Sequence, residues 1–133
     1  MIALDTNVLV RYLVRDDPRQ TRAATRLIES ACTAATPGFV PLVALCELVW
    51  VLERGYGYRR AQVVDVVRGL LSADDLAIER SELAWQALNA FEEGKADFAD
   101  YVLGLCARQA GAETTVTLDR RAGSSSLFRL LEV

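Results

Sequence analysis

The 133-residue chain contains no histidine, and that absence removes several chemistries together. Neither a Ser-His or Cys-His nucleophile pair nor the histidine acid-base pair of metal-free ribonucleases can be built without imidazole. The common histidine-bearing zinc sites go as well. Cysteine is sparse: Cys32, Cys46 and Cys106 are odd in number, far apart and set among apolar neighbours, which predicts buried free thiols and no disulfide framework or zinc site. Lysine is almost missing, since Lys95 is the only one among 15 basic residues and the rest are arginine. The net charge of −3 argues against a broadly basic surface, so any contact with nucleic acid is expected to be local. No run of 18 apolar residues occurs, and Asp5 arrives before a signal pattern forms. The expectation is a soluble, cytoplasmic protein with no membrane partner. If the chain is an enzyme, its carboxylates must do the work.

What the chain does have is apolar residues in regular patterns. Hydrophobic side chains make up 52%, enough for one substantial core, and the length suits one domain over residues 1–133. Met1 to Leu4 read as a short buried strand, which puts Asp5 at a strand's carboxyl end. The DTNVLVRYL that follows turns to helical spacing, with Val8, Leu9, Tyr12 and Leu13 on one face. Pro18 opens a second helix to about Ala34, with Ala24, Leu27, Ile28 and Ala31 inward and Arg19, Arg22 and Arg26 outward. A Phe39-Val40 strand precedes a very apolar helix from Pro41 to the Gly55-Tyr56-Gly57 stop, and an amphipathic helix covers 59–72. Next come a strand at Leu76 to Ile78, a helix from about Ser81 to Glu93, a loop through Gly94 and Lys95, and a helix from Asp97 to Gln109. Thr114 to Leu118 is β-rich and ends on Asp119; Arg120 to Ser126 reads as a loop and Leu127 to Leu131 as a final strand. Alternating strands and helices imply an α/β fold with a parallel sheet covered on both faces. Ligands in such sheets bind beyond the strands' carboxyl ends, where Asp5 and Asp119 are expected to project.

Each aspartate has a plain structural reading. Asp5 and Asp119 suit N-caps after strands, and Asp97 and Asp100 the two arms of a capping box. Glu47 is different, being the only charged residue in FVPLVALCELVWVL. One helical turn away, positions 43, 44, 50 and 51 are Val, Ala, Trp and Val, so a buried carboxylate there would have no cation beside it. A divalent cation shared by Glu47, Asp5 and Asp119 supplies the missing charge, with Asp97 and Asp100 on one helix face within reach of it. Carboxylates so clustered repel one another and favour a bound cation. Mg²⁺ in such a setting keeps several waters, lowers the pKa of one and stabilises charge on a phosphoryl oxygen. Phosphodiester hydrolysis is the chemistry to expect.

Other features read first as ordinary structure. Arg11 with Arg15, and Arg19 with Arg22 and Arg26, form stripes suited to a solvated face and, second, to RNA phosphate or a protein partner. Trp50, Trp85, Tyr12 and Phe91 read as core before partner groove. Lys95, in the loop just ahead of Asp97, reads first as a surface residue and, second, as a contact to phosphate.

The blocks LDTNVLVRYL, CELVWVL, ADFADYVLGLCA and TLDRR, in this order and across nearly the whole chain, resemble the PIN-domain family, and the short stand-alone form is similar to VapC-like toxins of type II toxin-antitoxin systems. The resemblance implies a three-layer α/β/α sandwich with a central parallel sheet of four or five strands, and Mg²⁺-dependent endoribonuclease activity with Mn²⁺ as a substitute. It implies an RNA substrate, an antitoxin partner and a homodimer. Carried over by position, Asp5, Glu47, Asp100 and Asp119 are the catalytic and metal-binding acids and Asp97 a further metal ligand. Thr6 or Asn7 supports the site, as does Thr117, two positions before the last acid. The usual aromatic near that acid is absent, its place taken by Leu118 to Gly123 and a serine-rich turn.

Two other classes compete. A receiver-like phosphoryl-transfer domain also places acids at strand ends, but it relies on a late-strand lysine, and Lys95 precedes Asp97. A PIN-fold RNA-processing nuclease that is not a toxin, or a catalytically silent interaction module, shares the fold without the toxin role.

Overall fold

The apolar spacing resolves into seven helices and four three-residue strands. The computed structural model describes residues 1–133 and divides into two units, Met1–Ser81 and Glu82–Val133.

In the first unit, α1 (Thr6–Val14) opens on Asp5, whose Oδ1 accepts the Thr6 N–H at 2.8 Å, and closes on Arg15 in the left-handed conformation. Helix α2 (Pro18–Ala31) is capped by Asp17, which accepts the Gln20 N–H at 3.1 Å, and starts with proline, whose missing N–H costs nothing in a first turn. Strand β1 (Gly38–Val40) leads into α3 (Leu42–Tyr56), which Gly57 ends with φ +68. Helix α4 (Arg60–Ser72) and strand β2 (Leu76–Ile78) complete the unit. β1 and β2 pair in parallel, Gly38 opposite Leu76 and Val40 opposite Ile78. The N-terminal segment adds one parallel bridge, Ala3 to Phe39, held by Leu4 N–H to Phe39 O and Phe39 N–H to Ile2 O, both 2.8 Å. α1 packs on α2 and α3, α3 on α4, and α4 on β2. Leu9, Leu45, Leu48, Leu52, Val63 and Val67 are wholly buried, each stabilising the fold by about 1.5–3 kcal/mol.

In the second unit, α5 (Ser81–Glu93, its first residue being the last of the first unit) buries Ala84, Ala87, Leu88 and Phe91 at helical spacing. Phe91 meets Phe98 of α6 (Phe98–Gln109) edge to face, with centroids 5.9 Å apart. Strand β3 (Thr115–Thr117), the short helix α7 (Arg120–Gly123) and strand β4 (Phe128–Leu130) follow, and α7 packs on both strands. β3 and β4 are parallel, Thr115 opposite Phe128 and Thr117 opposite Leu130. Gly104 permits a close approach, because a Cβ there would stand 3.0 Å from Leu127 Cβ and 3.1 Å from Phe128 Cε2.

Several expectations are corrected. The N-terminal segment expected as a buried strand forms only the bridge at Ala3, with Met1, Ile2 and Ala3 exposed, and the named strands pair as one two-stranded parallel ladder in each unit; strands this short offer few ladder hydrogen bonds. Neither is every strand covered, since Val116 on β3 and Leu130 on β4 are exposed. The expected loop from Arg120 to Ser126 contains α7, because Asp119 caps it. Leu27, expected inward, is 41% exposed, and Ala31 is exposed. The cysteines are free as expected, but only Cys32 is buried, Cys46 and Cys106 being partly covered.

Candidate active site

The first unit carries Asp5 and Glu47. Asp5 follows the Ala3 bridge and spends Oδ1 on the Thr6 N–H, leaving Oδ2 turned to other use. Thr6 is buried, and its hydroxyl donates to the Ala44 carbonyl at 3.5 Å. This long contact ties the start of α1 to the turn of α3 just before Glu47. Asn7 is exposed beside a groove shared with Val8 and Arg11.

Glu47 overturns the argument made for it. It is exposed, and the face it shares with Val43 and Trp50, 66% and 60% exposed, is open. A carboxylate in water needs no buried cation, so the desolvation reasoning for a metal at Glu47 fails. Mean apolarity marks a helix that can be buried on all sides; α3 buries only the face carrying Leu45, Leu48, Val49 and Leu52.

The second unit carries Asp97, Asp100 and Asp119. Asp97 caps α6 and Asp100 stands at the third helical position, in a capping-box arrangement in which Asp100 Oδ2 accepts the Asp97 N–H at 3.2 Å. Asp119 follows β3 and caps α7, Oδ1 accepting the N–H groups of Arg121 at 2.8 Å and Ala122 at 3.4 Å. The Thr117 hydroxyl accepts the Asp119 N–H at 3.0 Å and so fixes the turn that presents the acid. Burial pushes the half-covered Asp100 carboxyl above its ordinary value. The charges of Asp97 and Asp119 push it the same way, against the Asp97 backbone N–H and the Arg121 guanidinium. Asp100 therefore feels the charge of both other acids. Neither unit by itself gathers three acidic or cysteine side chains closely enough to hold a metal ion.

Two contributors escaped the sequence reading. Glu79, the residue after β2, accepts the Leu42 N–H at 2.8 Å and caps α3, where Pro41 supplies no side-chain cap. The signal was available: like Asp5 and Asp119, it is an acid directly after a strand. Arg121, whose charge reaches Asp100, had no signal beyond its place after Asp119. Of the arginine stripes, Arg11 is engaged structurally with Asp16, Gln20 and Tyr56. Arg19, Arg22 and Arg26 stand in solvent. Phe91 is core, Tyr12 and Trp85 are partly covered, and Trp50 faces outward.

Each of these aspartates thus does structural work with one oxygen. In the first unit Asp5 Oδ2, and in the second Asp100 Oδ1 and Asp119 Oδ2, are not used by these backbone hydrogen bonds. The donors are all hard oxygens, which suits Mg²⁺ or Mn²⁺ and not a soft metal.

Comparison with known proteins bears on the same residues. The family model of the PIN domain matches residues 2–124, a span that includes all five acids. The chain is also similar to a VapC ribonuclease of Aquifex aeolicus (strain VF5), 26% identical over 121 residues that cover 91% of this chain and 89% of that protein.

Proposed function

The chain belongs to the PIN-domain family, and from that premise we propose that it is a divalent-metal-dependent endoribonuclease acting as the toxin of a toxin-antitoxin pair. The observation that carries the chemistry is Asp100, an oxygen donor that is partly desolvated and repelled by the charges of Asp97 and Asp119. Likeness to a VapC ribonuclease over most of both chains supports RNA as substrate and an antitoxin as partner. A single PIN domain over residues 1–133, its central sheet of four or five strands, a homodimer and a cytoplasmic setting belong to the same proposal.

In this reading Asp5, Glu47, Asp97, Asp100 and Asp119 hold Mg²⁺, with Mn²⁺ as a substitute. The cation supplies positive charge against a phosphoryl oxygen and acidifies water at the site. The protein's own share is orientation. The backbone bonds at Asp5, Asp100 and Asp119 fix one oxygen of each carboxylate, so the other is presented in a set direction. Thr6 and Thr117 hold the two turns that bear Asp5 and Asp119. Without histidine, proton transfer falls to the carboxylates and to solvent.

The test is cleavage of a labelled single-stranded oligoribonucleotide by the purified chain. Cleavage is expected with Mg²⁺ or Mn²⁺, none in EDTA, and none from Asp100→Asn at unchanged helical content. Full activity in EDTA would refute the reading. The toxin role has its own test: induction of this chain alone should arrest growth, and co-expression of the product of a short neighbouring reading frame should relieve it.

A further inference from the structure

The second unit holds an open cleft of about 460 Å³ that the acids do not occupy, a volume within the range of small-ligand sites. Its walls come from the two chain segments that lead to those acids. Glu93, Gly94 and Lys95 stand just ahead of Asp97, and Ser124 and Ser125 lie just beyond α7, the helix that Asp119 caps. Tyr101, only 3% exposed, also lines it.

The lining is chemically mixed in a particular way. Lys95, the chain's single lysine, is exposed and makes no ion pair. Tyr101 accepts the Ala96 N–H at 3.4 Å, which leaves its own hydroxyl proton to donate. Ser125 Oγ accepts the Leu127 N–H at 3.2 Å and likewise keeps a proton to give. Ser124 donates to the Arg121 carbonyl at 2.6 Å and keeps lone pairs to accept with. Glu93 adds an exposed carboxylate. Gly94 is what admits the phenol: a Cβ there would collide with the Tyr101 hydroxyl and lie 2.8 Å from Cζ.

One cation, two hydroxyl donors and two acceptors do not suit a bare phosphate, which a carboxylate would repel, nor an apolar ligand. They suit a sugar that carries both hydroxyls and a phosphate. We propose that this cleft is a ribose-phosphate subsite for the nucleotide next to the cleaved bond, with Lys95 on the phosphate and the Tyr101, Ser125 and Glu93 groups on the ribose. It rests on the nuclease reading and deepens it. Contacts to a ribose 2′-hydroxyl are how a protein separates RNA from DNA, so the cleft makes this chain selective for RNA at that position.

The probe is a fluorescent ten-nucleotide single-stranded RNA, its affinity measured in Mg²⁺ at several salt concentrations with Asp100→Asn to prevent cleavage. Lys95→Met in that background should weaken binding about tenfold and lower the salt slope by about one phosphate contact. Replacing one backbone phosphate by an uncharged methylphosphonate should weaken binding to the lysine protein and leave the Lys95→Met protein unaffected. Tyr101→Phe should reduce the preference for the RNA over the same strand with a single 2′-deoxy residue. Equal affinity and equal salt slope with and without Lys95 would overturn the phosphate contact, and an unchanged sugar preference in Tyr101→Phe the ribose contact. If the unmodified chain neither binds nor cleaves RNA with Mg²⁺, the nuclease reading itself falls and takes the subsite with it.

Discussion

Replacing Gly94 and Gly69 by alanine, one at a time, should move stability in opposite directions although the chemical change is identical. At Gly94 the new methyl would meet the Tyr101 hydroxyl and Cζ and, at 2.9 Å, the Ala90 carbonyl oxygen. The phenol ring belongs to a buried residue, and the carbonyl is backbone at the end of α5 that already accepts the Gly94 N–H at 2.9 Å. Neither partner yields easily, so overpacking should cost about 1–3 kcal/mol. The smaller entropy of an alanine-containing unfolded chain offsets about 0.4–1 kcal/mol. The net is a loss of about 1–2 kcal/mol, or a Tm lower by about 4–8 °C at roughly 4 °C per kcal/mol for a chain of this size. Gly69 lies inside α4, and a Cβ there meets nothing within 4 Å. Only helix propensity remains, and alanine should gain about 0.8–1 kcal/mol. Thermal and urea denaturation of both variants in one buffer read the two signs. Gly94→Ala/Tyr101→Phe should recover only part of the loss, because Cζ and the Ala90 oxygen remain. Gly94→Ala at or above the parent Tm, or Gly69→Ala below it, would refute the packing argument.

Substituting asparagine for Asp5 and Asp119 separates capping from catalysis. Asn caps about as well as Asp, so stability should hold within about 0.5 kcal/mol, while alanine should cost about 1 kcal/mol. Both substitutions should abolish RNA cleavage, and an active asparagine variant would show that the acid serves as a cap alone. The Asp16 carboxyl is held below its ordinary value first by the Tyr56 hydroxyl, at 2.8 Å, with Arg11 at 2.9 Å pulling the same way. Such a carboxyl stabilises the fold above its unfolded value, 3.8, and that contribution disappears as pH falls through the lower folded value. Urea midpoints measured downward from about pH 5 should therefore fall more steeply for the parent than for Asp16→Asn, and superimposable curves would show that the network adds nothing. Burial raises the Cys32 thiol, and the Asp75 charge adds to it. Iodoacetamide should therefore label Cys32 last in the native protein and at an ordinary rate in urea; mass spectrometry of peptides reads the order.

Legibility in the sequence followed the length of each pattern. Helices α3, α4, α5 and α6 repeat an apolar spacing over three turns or more, and the sequence reading found them within a residue or two. Helix α7 has four residues, too few to repeat anything, and only the Asp119 cap reveals it. The four strands were placed well because they are bounded by turn residues and acids, whereas Met1 to Leu4, read as a buried strand, forms only the bridge at Ala3. The strands' pairing partners were not legible, since three-residue strands carry no alternation from which partners can be read. Leu27 and Trp50 show the same limit on faces: hydrophobicity says what a residue tolerates, and packing decides where it goes.

The five acids respond differently to that limit. Asp5, Asp100 and Asp119 were read both as candidate site residues and as caps, and the structure shows the caps in place with one oxygen of each still unspent. Rigidity and ligation are compatible here, because a backbone N–H fixes one carboxylate oxygen and thereby aims the other. Glu47 is the reverse case. It caps nothing, is not desolvated, and stands exposed between Val43 and Trp50. Of the proposed metal-binding acids it is therefore the one whose replacement by glutamine should leave the folded state untouched. Any loss of cleavage in Glu47→Gln would report on chemistry alone.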